Sequence, residues 1–362
     1  MSLLYKKLLQ PVLFRFDPES VHKLATLWAN NPVVSGKMGN PPNISEDLFK
    51  RFHQQLGNLS FTHPIGLAAG FDKNGEFSNL SNALSFSYRE VGSVTAQPSA
   101  GNQRPRLFRL PQDNSLINRM GLNNHGADVI SLRLAEAKDP AGVNIAKTPD
   151  PSLLKDAAID DYVTSYKKLK SAAKYITLNI SCPNSGDGKS FENPEPLTSL
   201  LSAIKSERSS NDPPIFVKFS ADISEQKLAE LLQITEDFDI NGYVCCNTST
   251  DRSLLSASPD RLQQIGPGGI SGRPLHFKSC GQLYFIRRNV PKNRILIGVG
   301  GIDGFRSAAA TLSCGADLLQ IYTGLIYQGP ELVNTILEQF ASIMELEGLA
   351  SIQELRSYFQ SL

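Results

Sequence analysis

Eight short runs in which nearly every residue is apolar constrain the fold of this chain most. They are IGLAAGF (65–71), YREVGSV (88–94), GVNIAK (142–147), ITLNIS (176–181), IFVKFS (215–220), GYVCCNT (242–248), ILIGVGG (295–301) and LLQIYTG (318–324). A strand covered on one face alternates apolar and polar residues, whereas a run apolar throughout is covered on both, as parallel strands between helices are. Stretches with helical spacing separate most of the runs, among them EQKLAELLQITEDF (225–238) and FRSAAATLSCGA (305–316). The expected fold class is therefore α/β, a closed (β/α)8 TIM barrel, with a doubly wound open sheet as the alternative. At 362 residues and 41% hydrophobic, the chain holds a barrel of ~250 residues with additions.

One addition precedes the barrel. Leu4, Leu8 and Val12 recur every four residues, as do Leu9 and Leu13, and Pro11 kinks or restarts that helix. Asp17-Pro18-Glu19 opens a second helix carrying Val21, Leu24, Leu27 and Trp28. The Pro-, Gly- and Asn-rich stretch 31–43 reads as a linker. The division expected is a small amphipathic helical unit, 1–45, and a barrel domain, 46–362. Residues 1–16 carry Lys6, Lys7 and Arg15 and no acid, which suits a helix lying on a surface. Pro11 interrupts the run and no small-residue cleavage site follows, so a secretory signal fits poorly. No stretch nears the ~20 apolar residues of a membrane span.

Composition removes other classes. Lys+Arg minus Asp+Glu is 36 − 35 = +1, without the basic excess of a general nucleic-acid binder. Five cysteines with no C-x-x-C, and five scattered histidines, argue against a disulfide framework and point to a reducing compartment. The ligand spacings of a zinc or iron–sulfur site are missing, and no metal is expected.

Three segments break the rhythm: 95–141, expected to insert a hairpin over the barrel mouth; the polar loop 182–196; and 249–275, which ends in GPGGISGRPL. All follow the C-terminal end of a strand, the face on which barrel enzymes place their chemistry. GVGGI (298–302) and YTG (322–324) lie where such barrels bind phosphate, although a tight strand-to-helix turn needs the same small residues. GPGGISG (266–272) is a weaker candidate that a plain loop would also explain. Asn118, Asn179, Asn184 and Asn247 can each donate and accept, which suits a flat ring such as a flavin or pyrimidine, while Asx turns explain any one of them alone. Lys218 sits in a buried-looking run, and an anionic partner such as a reduced flavin offsets the cost of burying it. Lys73 suits a substrate carboxylate, or else an ion pair with Asp72 or Glu76. Cys182, in NISCPN, is a thiol that can serve as a base without a partner histidine, or a small buried hydrophobe. Cys245 and Cys246 point to opposite strand faces, and no redox role is expected of either.

LAAGFDKNGE (67–76), RPRLFRL (104–110), INRMGLNN (117–124), LNISCPN (178–184), CNTSTDR (246–252), GGISGRPL (268–275) and IGVGGI (297–302) occur in that order along the chain. In these motifs the chain resembles the dihydroorotate dehydrogenases, from DPESVH (17–22) to QIYTGLIYQGP (320–330). The resemblance implies an FMN-binding (β/α)8 barrel that oxidises dihydroorotate to orotate in pyrimidine synthesis. It implies FMN contacts from Ala69, Gly70, Phe71, Asp72, Lys73, Ser93, Asn144, Asn179, Lys218, Cys246, Gly272, Gly301, Tyr322 and Thr323. It implies a pyrimidine held by Lys73, Asn118, Arg119, Met120, Gly121, Leu122, Asn179, Asn184, Asn247 and Thr248. Cys182 falls on the catalytic base, which takes a ring C5 proton as hydride leaves C6 for the flavin.

The N-terminal unit resembles that of the class 2 enzymes, which associate with membranes and reduce a quinone. They typically have serine as the base, whereas Cys182 resembles the soluble class 1. The expectation is a quinone-reducing enzyme peripheral to the membrane, at the cytoplasmic face of a bacterial inner membrane or at the mitochondrial inner membrane, and a monomer or weak oligomer. The alternatives are a soluble class 1-like enzyme using fumarate, or NAD through an iron–sulfur partner, and a flavin-binding scaffold without turnover.

Overall fold

The computed structural model describes residues 4–30, 41–77, 83–137, 141–181 and 190–362. Each of the eight apolar runs supplies one strand of a closed parallel barrel. In chain order the strands are β3 (Ile65–Leu67), β4 (Tyr88–Val94), β7 (Ala141–Ile145), β8 (Ile176–Asn179), β9 (Ile215–Lys218), β10 (Gly242–Cys245), β12 (Ile295–Val299) and β13 (Leu318–Ile321), and β13 pairs back onto β3. The helices between them bury the faces their periodicity requires: Glu225–Asp237 turns Leu228, Leu231, Leu232 and Thr235 inward, and the Ser224 hydroxyl accepts from the Lys227 N–H at its start.

Side chains fill the barrel. The rings of Tyr88, Tyr175 and Phe216 lie inside it, and Gly66, Gly142 and Gly242 on the neighbouring strands leave room for them; a Cβ at Gly66 would stand 2.3 Å from the Tyr88 ring. The hairpin of β1 (Gln54–Leu56) and β2 (Leu59–Phe61) adds Leu59 and Phe61 to the same cluster. With this end packed, the opposite end, at the strand C-termini, is where a ligand can enter.

The insertion after β4 contains the expected hairpin, β5 (Leu107–Leu110) and β6 (Ser115–Asn118). A third strand joins it. The glycine-rich segment that could have been plain loop contains β11 (Gly269–Gly272), antiparallel to β6. The driving force is apolar: Ile270 is fully buried with Leu110, Ile117 and Ile265.

At the N-terminus, Tyr5–Leu9 forms a π-helical turn that passes into the α-helix Gln10–Leu13, with Pro11 in its first turn. Asp17 accepts from the Ser20 N–H at 2.8 Å, and the next helix runs Pro18–Asn30. The linker reading falls mainly on residues 31–40, outside the described residues. Among the described residues no helix is long and apolar enough to cross a membrane.

Candidate active site

A cavity of about 470 Å³ opens at the C-terminal ends of the barrel strands, under the sheet β5–β6–β11. The turn after β3 is pinned from behind. Asp72 is buried, with its carboxylate 2.7 Å from the Arg89 guanidinium and accepting from the Glu76 and Phe77 N–H groups. Asp72 therefore does not reach the cavity, and it is not the partner of Lys73. Lys73 lines the cavity and donates to the Gly70 carbonyl at 2.7 Å. Burial, opposed by the Glu19 carboxylate, pulls its pKa down to about 8. The ammonium still predominates at pH 7, and an arriving carboxylate would strengthen it.

The opposite wall is polar. Ser93, Asn179, Ser181, Asn247 and Thr248 line it, with Lys218 and Cys246 beside them. Lys218 is 6% exposed and makes no side-chain hydrogen bond among the described residues. An ammonium buried in this way calls for an anion from a ligand. Burial pushes the Cys246 thiol up to about 12, so it is no proton acceptor near neutrality. Lys147, at the end of the third run, turns away to the carbonyls of Asp150 and Leu153.

The rim after β12 and β13 fits a phosphate group. Gly300, Gly301 and Gly324 line the cavity together with Tyr322 and Thr323, and Gly272 faces them from β11. Gly301 has φ +74°, and a Cβ there would stand 2.5 Å from His276. A Cβ on Gly324 would stand 2.1 Å from the Ile302 carbonyl oxygen. Backbone packed this closely, opening onto a ligand cavity, is how anion cradles are made. The side-chain oxygen of Gln320, on the cavity wall, is buried without a partner among the described residues. A flavin offers N–H and ribityl O–H donors to such an acceptor, so the residues present fit FMN.

Of the expected site residues, the cavity brings together Ala69, Gly70, Lys73, Ser93, Asn118, Arg119, Met120, Gly121, Leu122, Asn179, Lys218, Cys246, Asn247, Thr248, Gly272, Gly301, Tyr322 and Thr323. Phe71, Asp72 and Asn144 stand behind the wall; Asn144 is buried and accepts from the Ser93 hydroxyl. Arg119 reaches the wall, but its guanidinium donates to the carbonyls of Ile265 and Pro267. Cys182 and Asn184 lie outside the described residues. Sequence reading missed Ser181, Asn102, Leu107, Leu116 and Gln320. Ser181 and Leu107 lie within quoted motifs and Gln320 is the one polar residue within LLQI, but none of these marks a ligand contact by itself.

The N-terminal helices close one side of the site through the residues of DPESVH. Glu19 is buried and meets Arg106 at 2.7 Å and Arg104 at 2.8 Å. Burial raises its pKa, but hydrogen bonds from the two guanidinium groups outweigh that and hold it down at about 2. The His22 ring approaches the Phe71 carbonyl at 2.9 Å and packs edge-on to the Phe71 ring, which in turn meets Tyr322 of the cavity wall. Burial, with Lys73 nearby, lowers the His22 pKa to about 3, so the ring is neutral. Arg109 donates to the Phe16 carbonyl and lies over the Phe14 ring.

Residues 51–344 match the family model described as dihydroorotate dehydrogenase. The chain is 36% identical over 357 residues to the dihydroorotate dehydrogenase (quinone) of Natronomonas pharaonis, covering 96% of this chain and 97% of that one. It is 36% identical to the protein of the same name from Rhizobium meliloti, over 95% and 93% of the two chains. The crystal structure of DHODH from Eimeria tenella in complex with ferulenol superposes with a TM-score of 0.81 at 27% identity, covering 94% of both chains. With barrel, cavity and motifs in agreement, the chain belongs to the dihydroorotate dehydrogenase family.

Proposed function

We propose that this chain oxidises dihydroorotate to orotate with FMN and passes the electrons to a quinone at a membrane surface. The observation that carries this is the cavity itself: a glycine cradle, a buried lysine and a wall of amides converge on the strand C-termini. Bound FMN supplies the hydride acceptor. Lys73 anchors the substrate carboxylate, and Asn118, Asn179, Asn184 and Asn247 hold the ring edge. Cys182 takes the C5 proton on its Sγ. A thiol with a free pKa of ~8.5 can do this near neutrality, where a hydroxyl would need activation. Lys218 stabilises the negative charge that reduction brings to the flavin.

For the second half-reaction, residues 1–45 form the unit that frames the quinone entrance, and 46–362 the catalytic barrel. The support is physical. The helices Gln10–Leu13 and Pro18–Asn30 dock at the cavity rim, while Leu8, Val12, Phe16 and Leu27 turn more than half of their surface to solvent beside the exposed Lys7 and Arg15. The curated relatives named above carry the quinone in their names. The test is anaerobic titration with dihydroorotate followed by candidate acceptors. Bleaching of the flavin by dihydroorotate and its return to yellow with a quinone are expected; a flavin that dihydroorotate leaves yellow overturns the assignment.

A further inference from the structure

Behind the polar wall lies a carboxylate that the reaction just described does not use. Glu90, on β4, is fully buried inside the barrel and does not line the cavity. Four donors converge on it: the Asn144 side-chain NH2 at 2.9 Å, the Gln320 NH2 at 2.9 Å, the Tyr175 hydroxyl at 3.1 Å and the Thr177 hydroxyl at 3.3 Å. Because a carboxylate only accepts, it fixes which way each amide beside it is turned.

That orientation propagates. With its NH2 on Glu90, Asn144 must present its oxygen to Ser93, whose hydroxyl donates to it. The Ser93 oxygen then accepts from the Asn179 NH2 at 3.0 Å. This leaves the Asn179 oxygen to accept from the Ser181 hydroxyl at 2.7 Å, and Ser181 accepts from the Asn247 NH2 at 2.8 Å. Every donor in the series points toward Glu90, and no single amide can turn without leaving two donors or two acceptors face to face. A second arm does the same for Gln320: its NH2 is held by Glu90, so its unpartnered oxygen remains for a ligand donor.

We propose that Glu90 is a positioning residue that sets the donor and acceptor pattern of the active-site wall, through Asn144 toward the pyrimidine and through Gln320 toward the flavin. This rests on the function proposed above. An amide wall fits a ring of alternating C=O and N–H groups in only one of its two orientations. In the other, buried polar groups of both wall and ligand lose their partners.

The test uses the oxidised holoenzyme and reads orotate affinity from the shift in flavin absorption as orotate is added. E90Q gives the position an NH2 of its own, frees Asn144 to turn, and is expected to weaken orotate binding about tenfold or more. E90Q/N144D keeps one buried negative charge but moves it one place along. The carboxylate now on β7 accepts both from the amide that replaces Glu90 and from Ser93, so the original direction, and most of the affinity, return. T177V removes one donor to Glu90 without reversing anything and stays near the wild type. Orotate binding to E90Q as tight as to the wild type overturns the proposal. So does T177V as weak as E90Q, or a double variant no better than E90Q. If E90Q yields no holoenzyme, the double variant decides: E90Q/N144D keeps the direction of the series and is expected to bind orotate near the wild type, and a double variant that holds FMN but binds orotate about tenfold or more weakly overturns the proposal. The wild-type titration with dihydroorotate stands apart: failure to bleach sinks the function assigned above, while bleaching with an indifferent E90Q sinks only the role of Glu90.

Discussion

At the scale of single residues, the chemistry divides between groups that touch ligand and groups that hold them. Cys182, the base in the function proposed above, is the sharpest case of the first kind. A general base works best with a pKa near the working pH, and a thiol's ~8.5 is far closer than a hydroxyl's. FMN reduction by dihydroorotate should therefore rise with pH and level off as Cys182 becomes thiolate. Cys182→Ala should nearly abolish the step while FMN stays bound, because every implied flavin contact but Asn179 comes from another strand. Cys182→Ser should move the rise to higher pH. Stopped-flow reduction at several pH values measures all three. Lys218→Met removes a buried cation from the cavity wall, and the flavin midpoint potential should fall by about 30 mV, equivalent to about 1.4 kcal/mol for two electrons. An unchanged potential in a redox titration would remove Lys218 from that role. Most of the residues that line the cavity were legible because they sit in motifs at strand ends. Glu90 and Gln320 were not, because a polar residue inside an apolar strand shows its purpose only once its neighbours are known.

At the scale of elements, all eight barrel strands were legible, since burial on two faces leaves a run of apolar residues that few other environments tolerate. Strand β11 was not, because a segment of Gly-Ile-Ser-Gly has one apolar side chain and owes its place to pairing with β6. The helix Pro18–Asn30 was legible in outline from Asp17-Pro18-Glu19, but the use of Glu19 and His22 as latches depends on loops far away in sequence. Those latches are sensitive to pH, and the sign follows from their values. His22 has a pKa of about 3 when docked and ~6.5 when free, so the free helix binds the extra proton between those limits. Docking is intact above pH 6.5 and weakens as pH falls below it, by about 2 kcal/mol at pH 5. Glu19, at about 2 when docked, adds its own loss only below the ordinary carboxylate range of ~4.3. Trp28, the single tryptophan, lies on this helix. Its emission should begin to change near pH 6, and in a His22→Phe variant the change should be delayed until Glu19 titrates. Glu19→Ala leaves Arg106 buried without its anion and should cost about 3 kcal/mol, read as faster proteolysis before residue 45 at neutral pH.

At the scale of the whole molecule, the two ends of the reaction lie in different solvents. Dihydroorotate is a polar anion that enters from water, and the barrel offers it a cavity with a polar wall and the Lys73 ammonium. A quinone is an oil that dissolves in a bilayer, and in the function proposed above the N-terminal helices would admit it beside Phe71 and Tyr322, whose rings meet edge-on. Neither helix is long and apolar enough to span a membrane, so the contact with a bilayer proposed above would rest on shallow burial of side chains such as Leu8 and Leu27, 60% and 69% exposed. Each contributes at most about 1.5–3 kcal/mol, and basic neighbours such as Lys7 and Arg15 add about 1 kcal/mol apiece on an anionic surface. Binding built from so few terms is reversible and breaks when two of them are removed. A Leu8→Glu/Leu27→Glu variant changes only solvent-facing positions, so the fold, the FMN content and the rate of flavin reduction by dihydroorotate should match the wild type. Its partition onto vesicles of mixed neutral and anionic lipid should fall by about tenfold or more, and its turnover with a long-chain quinone held in those vesicles should fall in parallel. Turnover with a short, water-soluble quinone should survive, because that acceptor does not depend on the bilayer to reach the entrance. Full turnover of the variant with the vesicle-borne quinone would mean that these helices are not the point of membrane contact.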